Sequence, residues 1–390
     1  MDLELSDEQR WLTESVETLL EREWPAIETV ADATAEQRQR VWERLVEFGA
    51  LSIGPDDGLG AVELCLIGHA LGSRLASVPF LGSAAVRAAL APFAETLDDE
   101  VAGILAGADA VAIALLEPRA SWSVSDLATT AQREGGALVL DGEKVAIEHL
   151  AQSDRLAVVA ALDDRPRLVL IPVDAPGLES ESQPSFDATV AMASARLTGV
   201  RAPAGATVSG PACAAAVDRL TTLGGLLAAA EAIGAASAVL ALAVRYAGER
   251  RQFGRPIGSF QALRHLLADL YVRQASGWST VLFAAAAFDD DAPDAARTAS
   301  VAKAYVSRGA REVAHGAMQV FGGIAFTSEH PAHRFLRRIL VREQQFGDAA
   351  YHERELGRVL AGGGSSAAGR VQAGRGSPAA PLVLAEASRS

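Results

Sequence analysis

The chain has 390 residues, 49% of them hydrophobic, and a formal net charge of −14 at pH 7. That length and apolar content can bury a large core over two or three packed units, while the acidity argues against nucleic acid or an anionic membrane as partner. Its two cysteines, Cys65 and Cys213, lie far apart and define no disulfide framework.

The opening MDLELSDEQRW is charged from its second residue and does not resemble a secretory leader, so a cytoplasmic chain is expected. Ser6 is placed to cap a helix, with Gln9 completing a capping box and Asp7 and Glu8 at the positive helix end. Trp11, Leu12, Val16, Leu19 and Leu20 form one apolar stripe, and Pro25 marks the stop. Val41, Trp42, Leu45 and Phe48 repeat the pattern, with Gly49 as C-terminal cap. A third helix, from Ala61 to Leu75, is apolar on most sides and therefore reads as buried.

Near Ala110 the pattern changes to short β-type runs: Val111–Leu116, Ala137–Leu140, Leu156–Ala161, Leu168–Val173 and Met192–Val200. Asp141-Gly142, Asp163-Asp164 and Pro176-Gly177 read as the turns between them. This spacing predicts a small sheet or barrel of about 100 residues. Beyond Pro211 the chain turns helical again, through Ala214–Tyr246, Gln261–Phe288, Ala295–Gly316 and the region after His330. The uncharged run from Ala232 to Val244 is too short for a bilayer and reads as a buried helix. Gly362 to Ser390 is rich in Gly, Ser and Ala and predicts a disordered tail. The expected organisation is α+β: an N-terminal helical domain (1–110), a middle β domain (111–210), a C-terminal helical bundle (211–361) and the tail (362–390).

Two segments carry the chemistry. Glu249-Arg-Arg-Gln-Phe-Gly-Arg-Pro-Ile257 joins two helices, and its arginines offer planar, bidentate donors suited to a pyrophosphate. A basic loop alone is a solvated face more often than a site. Here Phe260-Gln261 and His265-Leu-Leu-Ala-Asp269 follow it, and the whole run resembles the acyl-CoA dehydrogenase signature. Gln319-Val-Phe-Gly-Gly323, followed by Thr327, Glu329, His330 and Pro331, is similar to a second family motif; its glycines let backbone N–H groups approach an anion. Leu5-Ser-Asp-Glu-Gln-Arg10, Leu116-Glu-Pro118 and Asp141-Gly-Glu-Lys144 resemble further family segments. The resemblance implies flavin adenine dinucleotide (FAD) as cofactor. Arg250, Gln252 and Phe253 would hold one part of it, and Gln319, Gly322 and Gly323 the adenine side of a neighbouring subunit's FAD. It also implies an acyl-CoA substrate, an oligomer with shared cofactor sites, and an electron-transfer flavoprotein as acceptor. No metal is expected.

The same alignment shows departures. Leu116 stands where the family usually has Thr beside the flavin, and Ala146, Ile147 and Glu148 stand where it has an aromatic residue followed by Ile-Thr or Ile-Ser. The family's catalytic base is a Glu, which a protein can desolvate and tune to take a proton α to a thioester. Its usual position falls on Phe346, and the alternative position, on the long helix, falls on Gly224. Asp348 is the nearest acid, readable as a base or, preferably, as a helix N-cap before Ala349; Asp218 and Glu231 flank Gly224 more distantly. The pattern resembles the base-lacking companion subunits of actinobacterial α2β2 acyl-CoA dehydrogenases that act on steroid side chains. A homo-oligomer with its own base, a heterotetramer whose related chain supplies the carboxylate, and a scaffold subunit without chemistry are the alternatives.

Overall fold

The computed structural model of the protein describes residues 4–27, 29, 30, 33–54, 59–96, 101, 105, 109–119, 121–124, 126–208 and 212–362. The tail expected beyond Gly362 lies outside these residues. Helix α1 (Asp7–Glu23) begins at the anticipated capping box, with Ser6 Oγ accepting from Gln9 N and Gln9 accepting from Ser6 N. Thr34 and Gln37 repeat that arrangement ahead of α2 (Ala35–Glu47). Val16 and Leu20 are buried, but Trp11 is 64% exposed and only leans on Phe48, so the inward stripe is narrower than its sequence suggests. Helix α3 (Ala61–Ser73) is buried on most sides as expected. Helix α4 (Phe80–Leu90) was not legible: nearly every position is buried, so it shows no polar face.

The middle of the chain forms a seven-stranded sheet in the order β1-β4-β2-β3-β7-β6, with β5 paired to β4. Its strands are β1 (Val111–Ala114), β2 (Thr130–Glu134), β3 (Ala137–Glu148), β4 (Arg155–Leu162), β5 (Arg165–Pro172), β6 (Leu178–Gln183) and β7 (Met192–Pro203). Alternation along β4 sends Ala157 and Val159 into the core shared with the helices and Leu156, Val158 and Ala160 into the sheet's own core. Asp163 and Asp164, both at positive φ, make the two-residue β4–β5 turn. Asp141-Gly142 is not a turn: β3 runs through it to Glu148, with a register shift between Leu140 and Gly142. A side chain at Gly142 would stand 2.5 Å from Thr129 Oγ1, so the glycine admits a bulge against a buried threonine. Strands β2 and β6 escaped the reading because their faces are mostly polar and exposed.

Helices α5 (Ala212–Glu249), α6 (Gln261–Asp289), α7 (Ala295–Phe321), α8 (Ala332–Gln344) and α9 (Ala349–Leu360) form the C-terminal bundle. A two-residue-per-strand hairpin, β8 (Arg251–Gln252) with β9 (Arg255–Pro256), separates α5 from α6. Helix α5 is long and apolar enough to cross a membrane, yet every residue from Leu223 to Ala236 is buried against protein. It packs on α3, α4, α7 and α8 and touches β5, so its apolarity is that of a central core helix.

Candidate active site

The β-domain wall of the site is fixed by a buried ion pair. Glu117 follows β1 and accepts from Ala128 N, Thr129 N and Lys144 Nζ at 2.7, 2.9 and 2.9 Å. Lys144, on β3, is fully buried and also donates to Leu115 O. Burial would raise the Glu117 carboxyl, but these donors hold it below the usual range. The two segments singled out in the sequence, Leu116-Glu-Pro118 and Asp141-Gly-Glu-Lys144, are thereby locked together, presenting Leu116, Ala146 and Glu148 to one cavity.

A second charge network joins the three parts of the chain. Arg338 on α8 is fully buried and donates to Asp187, Thr189 and Glu231 and to the carbonyls of Leu75 and Ala76. One turn on, Arg342 donates to Glu231 at 2.8 Å, to Gln345 at 2.5 Å and to Glu148. Glu231 is therefore a paired structural charge. Burial would raise the Glu148 carboxyl too, but Arg342 outweighs it and keeps Glu148 ionised. Glu148 thus lines the cavity as an ionised carboxylate paired with Arg342.

The connection between α8 and α9 is held at several points. Lys303 on α7 donates to the end-of-helix carbonyls of Arg342 and Glu343, both at 2.9 Å, and to Ser307 Oγ; burial pulls its ammonium down to about 7. His352 Nε2 contacts the Phe346 carbonyl at 3.1 Å. Asp348 accepts from Tyr351 N at 2.7 Å and caps α9. Phe346 sits at φ 55, a region bulky residues rarely occupy, with its ring tilted against Trp122 at 5.9 Å.

Two cavities share Leu115, Trp122 and Phe346 as a common wall. One, of 430 Å³, is mostly apolar and is bounded by Leu116, Ala146, Glu148 and Glu343. The other, of 320 Å³, is bounded by Arg219, Thr222, Gly225, Lys303 and His352. Asp348 lines neither. Glu343, a residue the sequence reading passed over, is 5% exposed; Arg311 donates to its Oε1 at 2.7 Å and its Oε2 has no hydrogen-bond partner among the described residues. Burial raises its carboxyl more than Arg311 lowers it. No sequence pattern marks it, since it falls in a charged run on an amphipathic helix.

The residues expected to hold the cofactor gather at one end of the bundle. Arg250, Gln252 and Phe253 lie on the exposed β8–β9 hairpin, and Phe253 is 92% exposed. Gln319 and Gly323 are also exposed, at the end of α7. Tyr246, one turn before the hairpin, packs edge-on against Phe321 at 5.4 Å and joins the two segments. Arg250 makes no ion pair among the described residues.

This arrangement has close counterparts. Residues 215–361 match the family model for the acyl-CoA dehydrogenase C-terminal domain. One chain of the ChsE4–ChsE5 complex from Mycobacterium tuberculosis is 26% identical and superposes with a TM-score of 0.80, over 93% of this chain and 99% of that one. The probable acyl-CoA dehydrogenase YngJ of Bacillus subtilis is 27% identical over 92% of this chain and 100% of its own length. The acyl-CoA dehydrogenase IpdE2 of Mycolicibacterium smegmatis is 43% identical over 34% of this chain, and this match spans 40% of that protein. Residues 215–361 belong to the acyl-CoA dehydrogenase family, and the whole chain shares the fold of the ChsE4–ChsE5 chain. Acyl-CoA dehydrogenase membership implies FAD, and the residues at the bundle end fit a pyrophosphate. Gly322 is at φ 68, and the space beside both Gly322 and Gly323 is open, so no side chain blocks an anion's approach to their backbone.

Proposed function

We propose that this acyl-CoA dehydrogenase chain works as a subunit that supplies FAD contacts without a catalytic base of its own, a related chain providing the carboxylate. The observation that carries this reading is the packing of Phe346 on Gly224: both positions where the family places its Glu are apolar and filled by one another. Asp348 is committed to the cap of α9. The assembled enzyme would remove a proton α to an acyl-CoA thioester and pass the β-hydride to the flavin, which supplies the electron sink, with an electron-transfer flavoprotein as acceptor. In this chain Arg250 and Gln252 would bind one part of FAD, and Gly322 and Gly323 another subunit's FAD. Lys303, Arg342 and His352 hold the connection that shapes the cavity. The likeness to a chain of the ChsE4–ChsE5 complex supports assembly with a second, unlike chain, as in an α2β2 arrangement it would share with that partner.

One observation favours a self-sufficient homo-oligomer instead. Glu343 lines the larger cavity with a raised carboxyl and one free oxygen, features of a general base. Expression alone and with a related chain, followed by flavin stoichiometry and turnover, separates the two. One FAD per two unlike chains, with turnover only in the mixture, is the expected result. Turnover by the lone chain that is lost in Glu343→Gln would overturn it.

A further inference from the structure

The wall between the two cavities is built, not incidental. The Phe346 ring lies in a notch that exists because residue 224 is glycine: a methyl group there would stand 2.5 Å from ring atoms Cε1 and Cζ. Trp122 closes on the ring from another side. His352 holds the Phe346 carbonyl and Arg342 holds Gln345. A phenylalanine at φ 55 persists only where its surroundings over-determine it. The smaller cavity combines the polar side chains of Arg219, Thr222, Lys303 and His352 with this apolar wall, and His352 Nδ1 is buried without a hydrogen-bond partner among the described residues. A polar, partly buried flank next to an apolar end suits a ligand with a hydrogen-bonding body and an apolar tip.

We propose that Phe346, seated on Gly224, is a specificity-determining stop: it ends the smaller cavity and bars the acyl chain of a bound thioester from the cavity bounded by Leu116, Ala146 and Glu148. The inference rests on the acyl-CoA reading above and adds a physical barrier to the missing base. Phe346 selects short or absent acyl tips on this chain's side of the assembly. Shrinking the ring joins the two cavities, and each methylene that enters the joined space leaves water.

The test is calorimetric titration of the assembled protein with butyryl-CoA and octanoyl-CoA, for the wild type, Phe346→Ala and Phe346→Leu. The alanine variant is expected to tighten octanoyl-CoA by about tenfold or more relative to wild type, with butyryl-CoA changed by less than about twofold. The leucine variant keeps an apolar side chain and should fall between, which leaves a readout if the alanine variant does not fold. Identical chain-length profiles in wild type and variants, or no thioester binding to any of them, would overturn the stop. Turnover by the lone wild-type chain would instead sink the base-lacking reading and leave the chain-length comparison standing.

Discussion

Phe346 and Gly224 are complementary: the ring of one occupies the space that any side chain on the other would need. Two positions 122 residues apart in sequence, each suited in the family to a carboxylate, have closed on one another. Gly224→Ala should therefore cost about 1–3 kcal/mol as an overpacked site. In a Phe346→Ala background the same change should cost close to nothing, because the atoms it strikes are gone. Chemical denaturation of the four proteins of this cycle gives the coupling directly. Additive penalties would show that the two residues do not compete for the same space.

The hairpin arginine makes a different kind of prediction. Arg250 is exposed and makes no ion pair among the described residues, so removing it should leave folding intact while weakening cofactor retention. A charge-assisted contact of about 1.5–3 kcal/mol corresponds to roughly tenfold or more in affinity. Arg250→Ala protein should lose yellow colour on dialysis with an unchanged circular dichroism spectrum. Unaltered flavin content would remove the hairpin from the cofactor site.

The family segments and the helical–β–helical order were legible because they rest on strong local signals: a capping box at Ser6, short apolar β-type runs such as Leu156–Ala161, and long motif strings around Arg250 and Gln319. Asp348 read correctly as a cap because it precedes a helix with the right spacing. What stayed hidden was non-local. Glu117 and Lys144 are 27 residues apart and meet only because β3 returns beside the end of β1. Arg338 reaches Leu75, Asp187 and Glu231 in three different parts of the chain. Glu343 acquires its character from burial alone, and Asp141-Gly142 mimics a hairpin turn because a bulge asks for the same residues.

The Glu117–Lys144 pair supplies a stability test. Lys144→Met leaves a buried carboxylate with two backbone donors but no countercharge, a loss of about 3–5 kcal/mol for a broken buried pair. Glu117→Leu with Lys144→Met together should cost less than Lys144→Met alone, since no charge is then stranded, although Ala128 N and Thr129 N lose their acceptor. Thermal unfolding monitored at the sheet's far-ultraviolet signal would rank the two. A double variant less stable than the single would mean that the carboxylate's backbone contacts outweigh the pairing.

Acid sensitivity should be traceable to imidazoles. Burial pulls His69, His149 and His352 each down to about 4 from an ordinary 6.5. Between those values the unfolded chain binds protons that the folded chain refuses, so stability falls as pH drops through this window. The slope is at most about 1.4 kcal/mol per pH unit for each histidine. Depressed carboxylates such as Glu117 and Asp187 add to the loss only below their ordinary values near 4.5 and 3.8, so they play no part in the upper half of the window, where the histidines act together with Lys303 and against the raised Glu343 carboxyl. Denaturant midpoints at pH 7 and pH 5 should therefore differ clearly, and His352→Gln, which keeps a donor for the Phe346 carbonyl, should reduce that difference. An undiminished difference in the variant would show that His352 takes up its proton as readily folded as unfolded, and that the neutral ring is not what holds the Phe346 connection in place.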